Sequence, residues 1–387
     1  MEEADQNFKT KKIETDVVKC PSCGGTMVFD PELQALKCEH CGNVSDFKKD
    51  FEVVERNIAE GFENAELVGE EEQVAYRCSN CGAEVVINSD ETATICPFCG
   101  TSHVAKEGSF KGIRPQVVIP FQFGKDKASD FAKKWAKRRL FAPGDFKKKL
   151  EPENVHGVYE PCFTFDSDTK STYYGRVGDI HTRTVGSGKN RRTETYVVYR
   201  NVSGVYNEFF DDVMVATNAK FDQRKMDMLS PFDRSRACNY EKKFLSGFFA
   251  DKYQKNLSES WDDAKKIIDS RIRKDIENSL HCDEVDYLNI STTHTGVTYK
   301  YVLLPVYRLV YGYKGKDYGV MINGSSGKVK GKTPKSAIKV SIAVVLAIAA
   351  AVGLGFLAFA LAKSGALDDF MAISRKIFTS FPLKSLK

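Results

Sequence analysis

Eight cysteines carry the most specific chemical signal in this 387-residue chain. They form four Cys-x-x-Cys pairs: Cys20/Cys23, Cys38/Cys41, Cys78/Cys81 and Cys96/Cys99. A two-residue spacer in a tight turn lets both sulfurs of a pair face one ion. The pattern Cys-x2-Cys-x14-Cys-x2-Cys occurs twice, the second copy displaced by 58 positions, and glycine follows each knuckle at Gly24, Gly42, Gly82 and Gly100. Two knuckles at the ends of a hairpin complete a tetrahedral all-thiolate site, with zinc–sulfur distances of about 2.3 Å. Each repeat is self-contained, so the ligands are assigned sequentially, giving two Zn2+ ions. The spacing does not distinguish zinc from iron. Four thiolates fill the coordination sphere and leave no place for water or substrate, so the ions read as structural. A thioredoxin-type redox pair is a single motif at the start of a helix, which four glycine-bearing knuckles do not match. His40, inside a knuckle, and His103, after the last cysteine, could substitute for a ligand, but four thiolates already suffice. Cys162, Cys238 and Cys282 have no partner at metal spacing and read as small core residues.

Other chemistry is hard to find. The chain has no phosphate-cradling Gly-x4-Gly-Lys-Ser/Thr loop, no dinucleotide fingerprint between strand and helix, no His-Glu-x-x-His and no Gly-x-Ser-x-Gly. Carboxylates are plentiful, yet nothing in the sequence pairs them. The expectation is a protein that is not an enzyme, with no catalytic or cofactor-binding residues beyond the metal ligands.

Charge is divided along the chain. Residues 1–110 carry 10 Lys+Arg against 22 Asp+Glu, and residues 111–387 carry 47 against 30. An acidic cysteine-rich part suits a polyanion poorly. Basic groups do cluster later, at Lys133, Lys134, Lys137, Arg138 and Arg139 and at Lys189, Arg191 and Arg192, which keeps nucleic acid as a rival partner. The N-terminus is acidic and lacks an apolar signal-peptide core, and cysteines in metal spacing suit a reducing compartment.

These signals place the chain in an α+β multidomain class. The expected order is a first zinc ribbon (1–45), an acidic linker (46–72), a second zinc ribbon (73–110), a basic mixed α/β domain (111–333), a juxtamembrane linker (334–339), a transmembrane helix (340–362) and a short tail (363–387). Within the α/β domain, Phe131, Trp135 and Leu140 mark a helical face near 125–140. Strands fill 155–217 with a hairpin tip at 186–190. Trp261, Ala264, Ile267, Ile268, Ile272 and Ile276 mark a helix over 257–280. Residues 340–362 are uncharged, with Ser341 the one polar side chain, and about 34 Å of helix suffices to cross a hydrocarbon core. Lys328, Lys330, Lys332, Lys335 and Lys339 precede this span, so the positive-inside rule places the large N-terminal part in the cytoplasm. The topology is single-pass, and those lysines suit anionic lipid. The tail repeats Leu367, Phe370, Met371, Ser374, Ile377, Phe378 and Phe381 at helical spacing, as an interfacial helix or a frayed end would.

Taken together, the two four-cysteine ribbons, Val118-Ile119-Pro120-Phe121, Gly157-Val158-Tyr159-Glu160-Pro161, the turn from Asn323 to Gly331 and the closing apolar helix give the chain a family likeness. It resembles the bacterial double-zinc-ribbon membrane proteins, which carry labels such as TFIIB-type zinc ribbon or primosomal replication-helicase-like. The resemblance covers nearly the whole chain and implies that Cys20, Cys23, Cys38, Cys41, Cys78, Cys81, Cys96 and Cys99 are zinc ligands. A helicase activity is not implied, because the motor motifs are missing. Some relatives are encoded beside phage-shock-protein-A-type and flotillin-like proteins, which implies a recruitment role in envelope stress. The functional expectation is a membrane-anchored adaptor that docks protein partners at the cytoplasmic face of the cell membrane. A membrane-tethered nucleic-acid-binding protein is the alternative.

Overall fold

The computed structural model describes residues 20–25, 27–47, 49–64, 74–78, 82–87, 104–109, 113, 115–144, 146, 150–251 and 253–363. Its strands are β1 (Met27–Asp30), β2 (Ala35–Cys38), β3 (Val44–Ser45), β4 (Arg56–Asn57), β5 (Val74–Cys78), β6 (Glu84–Ile87), β7 (Val104–Ser109) and β8 (Val117–Val118). They continue as β9 (Val155–Val185), β10 (Arg192–Ala216), β11 (Cys238–Asn239), β12 (Phe249–Asp251), β13 (Glu284–Tyr313), β14 (Lys316–Asn323) and β15 (Val329–Gly331). The helices are α1 (Ile58–Asn64), α2 (Lys125–Lys137), α3 (Gln223–Leu229), α4 (Leu257–Leu280) and α5 (Ala337–Lys363). The chain divides into two units, Met1–Trp135 with Lys149–Lys332, and Ala136–Lys148 with Thr333–Lys387.

Three very long strands organise the first unit. β9 and β13 run antiparallel, from Gly178 opposite Glu284 to Val155 opposite Leu309. β10 returns along the other edge of β9, with Arg192 opposite Val185 and Ala216 opposite Cys162. Beyond Cys162, β12 takes the place of β10 and pairs in parallel with β9, and β12 in turn pairs β6. The burial of β9 changes along its length. Residues 157–167 are buried without interruption, as in a strand covered on both faces, and from Ser167 burial alternates. β-bulges between Phe210 and Val213 and between Thr295 and Thr298 bend the partner strands at that level. The three strands then continue as an arm, about 60 Å long on β9.

The arm has one covered face. α4 begins at an Asn256 cap with a reciprocal Glu259 capping box, and buries Ala264, Ile268, Ile272 and Ile276 at four-residue spacing. Trp261 packs on Phe165 and His294, with centroids 5.4 and 5.3 Å away. The helix predicted over 257–280 is therefore present with those bounds. The helical face predicted near 125–140 differs: α2 buries Ala128, Ser129 and Ala132, whereas Leu140 lies past the helix end and is exposed. Small side chains let α2 approach its support closely, which outweighs the pull of the larger apolar residues.

The core beneath the arm joins Val117, Ile119, Cys162, Phe221, Leu229 and Leu304 to an aromatic group in which Phe121 stacks on Phe248 at 4.4 Å. Gly157 and Gly324 stand where a Cβ would meet the rings of Phe248 and Phe121, which explains both glycines in the shared segments. Asn323 closes the turn after β14. Its buried Oδ1 accepts from Ser325 and Ser326, and its Nδ2 donates to the carbonyls of Leu229 and Pro231 at 3.1 and 3.0 Å.

In the second unit, α5 contains one stretch, Ala337–Ala360, that is long and apolar enough to cross a membrane, with none of it buried. The helix starts three residues before the predicted span. Ser336 N–H donates to the carbonyl of Phe141 and Lys339 Nζ to that of Ala142. The tail expected at 363–387 lies outside the described residues beyond Lys363.

Replacing Asn323 with alanine strands two buried carbonyls. The expected loss is about 3 kcal/mol, at roughly 1–3 kcal/mol per unpaired group, measured as a lowered denaturation midpoint of the full chain.

Candidate metal centre

β1 and β2 form a hairpin, with Met27 opposite Cys38 and Asp30 opposite Ala35, and β3 adds a third strand. This geometry brings the two knuckles together. Gly24 and Gly42 have φ of +74° and +75°, a conformation that favours glycine, and their amides return to the carbonyls of Cys20 and Cys38 at 2.9 Å. The four sulfurs of Cys20, Cys23, Cys38 and Cys41 lie within 4.8 Å of one another. Cys20–Cys41 and Cys23–Cys38 are each 3.6 Å apart. Tetrahedral zinc with bonds of about 2.3 Å requires sulfur–sulfur separations of ~3.8 Å, while a disulfide requires about 2.05 Å. The donor set therefore fits zinc. His40 does not belong to the cluster.

The sulfurs are prepared for the ion by their surroundings. Burial pushes the Cys20 thiol up, but the amides of Ser22 and Cys23 outweigh it and bring the thiol down to about 6. The Gly25 amide pulls the Cys23 thiol down, yet the crowding thiols, Cys41 first, raise it to about 12. A dication relieves that crowding, since each thiolate then faces positive charge. Asn43 Nδ2 adds a weak contact to Cys20 Sγ at 3.8 Å.

The first ribbon is joined to the central sheet. Phe29 N–H donates to the carbonyl of Ser246 at 3.0 Å, and Ser246 Oγ donates to that of Met27 at 2.6 Å. Phe29 and Phe47 each pack edge-on against Phe244, at 5.2 Å. The acidic segment that follows lies along the fold as far as it is described. Asp50 O accepts from Asn239 N–H at 2.7 Å, and β4 pairs β13 at Tyr299.

The second set is described in part. β5, β6 and β7 pair antiparallel, and Gly82 has φ +67°, matching Gly24 and Gly42. Cys81, Cys96, Cys99 and His103, and the side chain of Cys78, lie outside the described residues.

Two charged clusters had no sequence signal. Arg308 faces Glu160 and Asp251 on neighbouring strands, at 3.3 Å from Asp251, and all three side chains are buried. Burial raises Asp251 well above the usual carboxylate range, so the group sits near neutrality. At the base of the arm, Lys300 Nζ lies 2.7 Å from Asp212, 2.8 Å from Glu55 and 3.6 Å from Asp166, and Arg234 adds a pair to Asp212 at 2.9 Å. Asp211, Asp212 and Asp166 could together hold a cation, but Lys300 and Arg234 already supply positive charge there. Burial and the nearby Glu55 carboxylate raise Asp166 to about 6. Cys162 and Cys238 are buried, with their thiols pushed up by burial, as expected of core residues.

Comparison with known proteins bears on the metal sites. A zinc ribbon domain family matches residues 75–105, which covers the second set. The chain is similar to a protein of Bacillus subtilis (strain 168) named "Uncharacterized protein YdjG", 29% identical over 328 residues, 84% of this chain and 91% of that one. No solved structure matches. The family match and the four-sulfur cluster make this a zinc-ribbon protein.

Two outcomes are expected. Cys38→Ser removes one zinc per chain, measured by elemental analysis after gel filtration, and leaves the ribbon hairpin susceptible to protease. For Asp166, a folded value of about 6 above an unfolded value of about 3.9 means that the folded chain holds the extra proton between them. This group's contribution to stability therefore declines as pH rises from about 4 to about 6. The difference in denaturation midpoint between wild type and Asp166→Asn follows that slope, and a pH-independent difference would contradict the assignment.

Proposed function

We propose that this chain is a single-pass adaptor anchored in the cell membrane by α5, with its zinc ribbons docking protein partners on the cytoplasmic face. The observation that supports this most strongly is the closed sulfur cage of Cys20, Cys23, Cys38 and Cys41. An ion held by four thiolates has no open position for substrate, so its contribution is shape. A second zinc at Cys78, Cys81, Cys96 and Cys99 belongs to the same proposal, supported by the repeated spacing and the Gly82 turn. The first ribbon carries half-exposed Leu33 and Val44 beside acidic Glu32 and Glu39, a surface suited to a partner with apolar and basic groups.

The cytoplasmic side follows from the lysines before α5. Lys335 is exposed there, whereas Lys328 donates to the carbonyl of Ser230 and is half-buried. Partners of the phage-shock-protein-A or flotillin-like kind, in envelope stress, are proposed from the family likeness. Nucleic acid is the weaker reading. Lys133 is paired with Glu151 at 2.7 Å, and Arg183 and Arg192 at the arm tip both pair with Glu194 at 3.2 and 2.9 Å. That leaves less free charge for phosphate than the sequence suggests.

The test is capture of the full-length protein from its native membrane in detergent, with mass spectrometry, beside a Cys20→Ser/Cys23→Ser variant. Membrane-associated proteins captured by the wild type and lost from the variant are expected. Capture of nucleic-acid machinery alone, sensitive to salt, would overturn the adaptor reading.

A further inference from the structure

Among the described residues, β10 pairs with β9 along one edge and with nothing along the other. An unpaired edge 25 residues long is a template for another strand, and edges are usually guarded by lysine, proline or short length. Residues 192–216 contain no lysine and no proline. On the face away from α4, β10 leaves Val205 and Phe209 each 58% exposed and Tyr199 41% exposed.

The strand is complementary to itself in one register. Placing a two-fold axis through Gly204 sets Ser203 opposite Val205 of a second copy, Val202 opposite Tyr206, Asn201 opposite Asn207, Arg200 opposite Glu208 and Tyr199 opposite Phe209. Opposite charges then meet twice, aromatic rings meet twice, and no like charges face each other between 198 and 210. Moving the axis to Ser203 or Val205 sets Arg200 against Tyr206 or Phe210 and leaves Glu208 facing an apolar residue. Moving it to Asn201 sets Glu194 against Glu208. The groups have capacity to spare. Arg200 uses Nε on Asp179 and Nη2 on the carbonyl of Leu280, leaving Nη1, and Glu208 accepts from Tyr206 on Oε2, leaving Oε1. Gly204 suits the axis, since its face toward the sheet interior is filled by the Tyr173 ring.

We infer that two copies of this chain associate through antiparallel pairing of β10 with β10 across residues 198–210, centred on Gly204. The resulting sheet has six long strands, and the pairing covers Tyr199, Val205 and Phe209 at once. This inference stands apart from the adaptor reading and from the metal centre.

The experiment is sedimentation equilibrium of the full-length, zinc-loaded protein in density-matched detergent. The wild type is expected to sediment as two chains. Arg200→Glu and Glu208→Arg each replace two attractive cross-strand pairs with two repulsive ones, and about a tenfold weaker association is expected of each. The double variant Arg200→Glu/Glu208→Arg restores the pairs and is expected to recover the wild-type association. Val205→Asp changes a side chain exposed in the single chain, so it is expected to give single chains with an unchanged melting temperature. A wild type that stays a single chain would overturn the inference. So would a Val205→Asp protein that associates normally, or a folded double variant that fails to recover.

Discussion

A hairpin with two four-residue strands and a two-residue third has too little apolar area to hold itself together, and the closure of four sulfurs around one ion supplies what its core lacks. That closure fixes Met27, Phe29, Leu36 and Cys38 in place as buried residues. Phe29 then presents both its amide and its ring to the segment around Phe244 and Ser246. The metal thus orders a small module, and the module's inner face joins it to the central sheet. A partner meeting this ribbon meets a surface held at a set position relative to β9 and β13.

The long strands solve a different problem. Pairing β9 with β13 over their length leaves the register open to slippage unless one face is specified. The charged clusters contribute that specification at two levels. Glu160, Asp251 and Arg308 meet in the core, and Lys300 gathers Asp166, Asp212 and Glu55 where the bulged strands leave it. A shift by one residue would turn each of these groups to the opposite face and leave its partner buried and unpaired, at a cost of several kcal/mol. Raised values at Asp251 and Asp166 follow from the same burial.

Local signals in the sequence were readable where physics is local. Cysteine spacing identified the sulfur cage, the four-residue apolar period identified α4, and 23 uncharged residues marked the apolar helix. The hairpin tip at 186–190 was legible from its glycines, two of which have positive φ. What escaped was set by partners far apart in the chain. Glu55 and Lys300 are 245 residues apart, and no pattern near either announces the other. Leu140 misled because apolarity alone does not say which face a helix buries when alanines allow closer packing. The segment after the first ribbon read as an acidic linker by composition, yet Asp50 and Glu55 are held by Asn239 and Lys300.

The central claim is that the ribbon ion is enclosed by sulfur and serves structure. X-ray absorption at the zinc edge of the purified full-length protein measures this directly. The account predicts a first shell of four sulfurs at about 2.3 Å and no lighter ligand. A nitrogen or oxygen shell at about 2.0–2.1 Å would mean an open or histidine-bearing site and would contradict it.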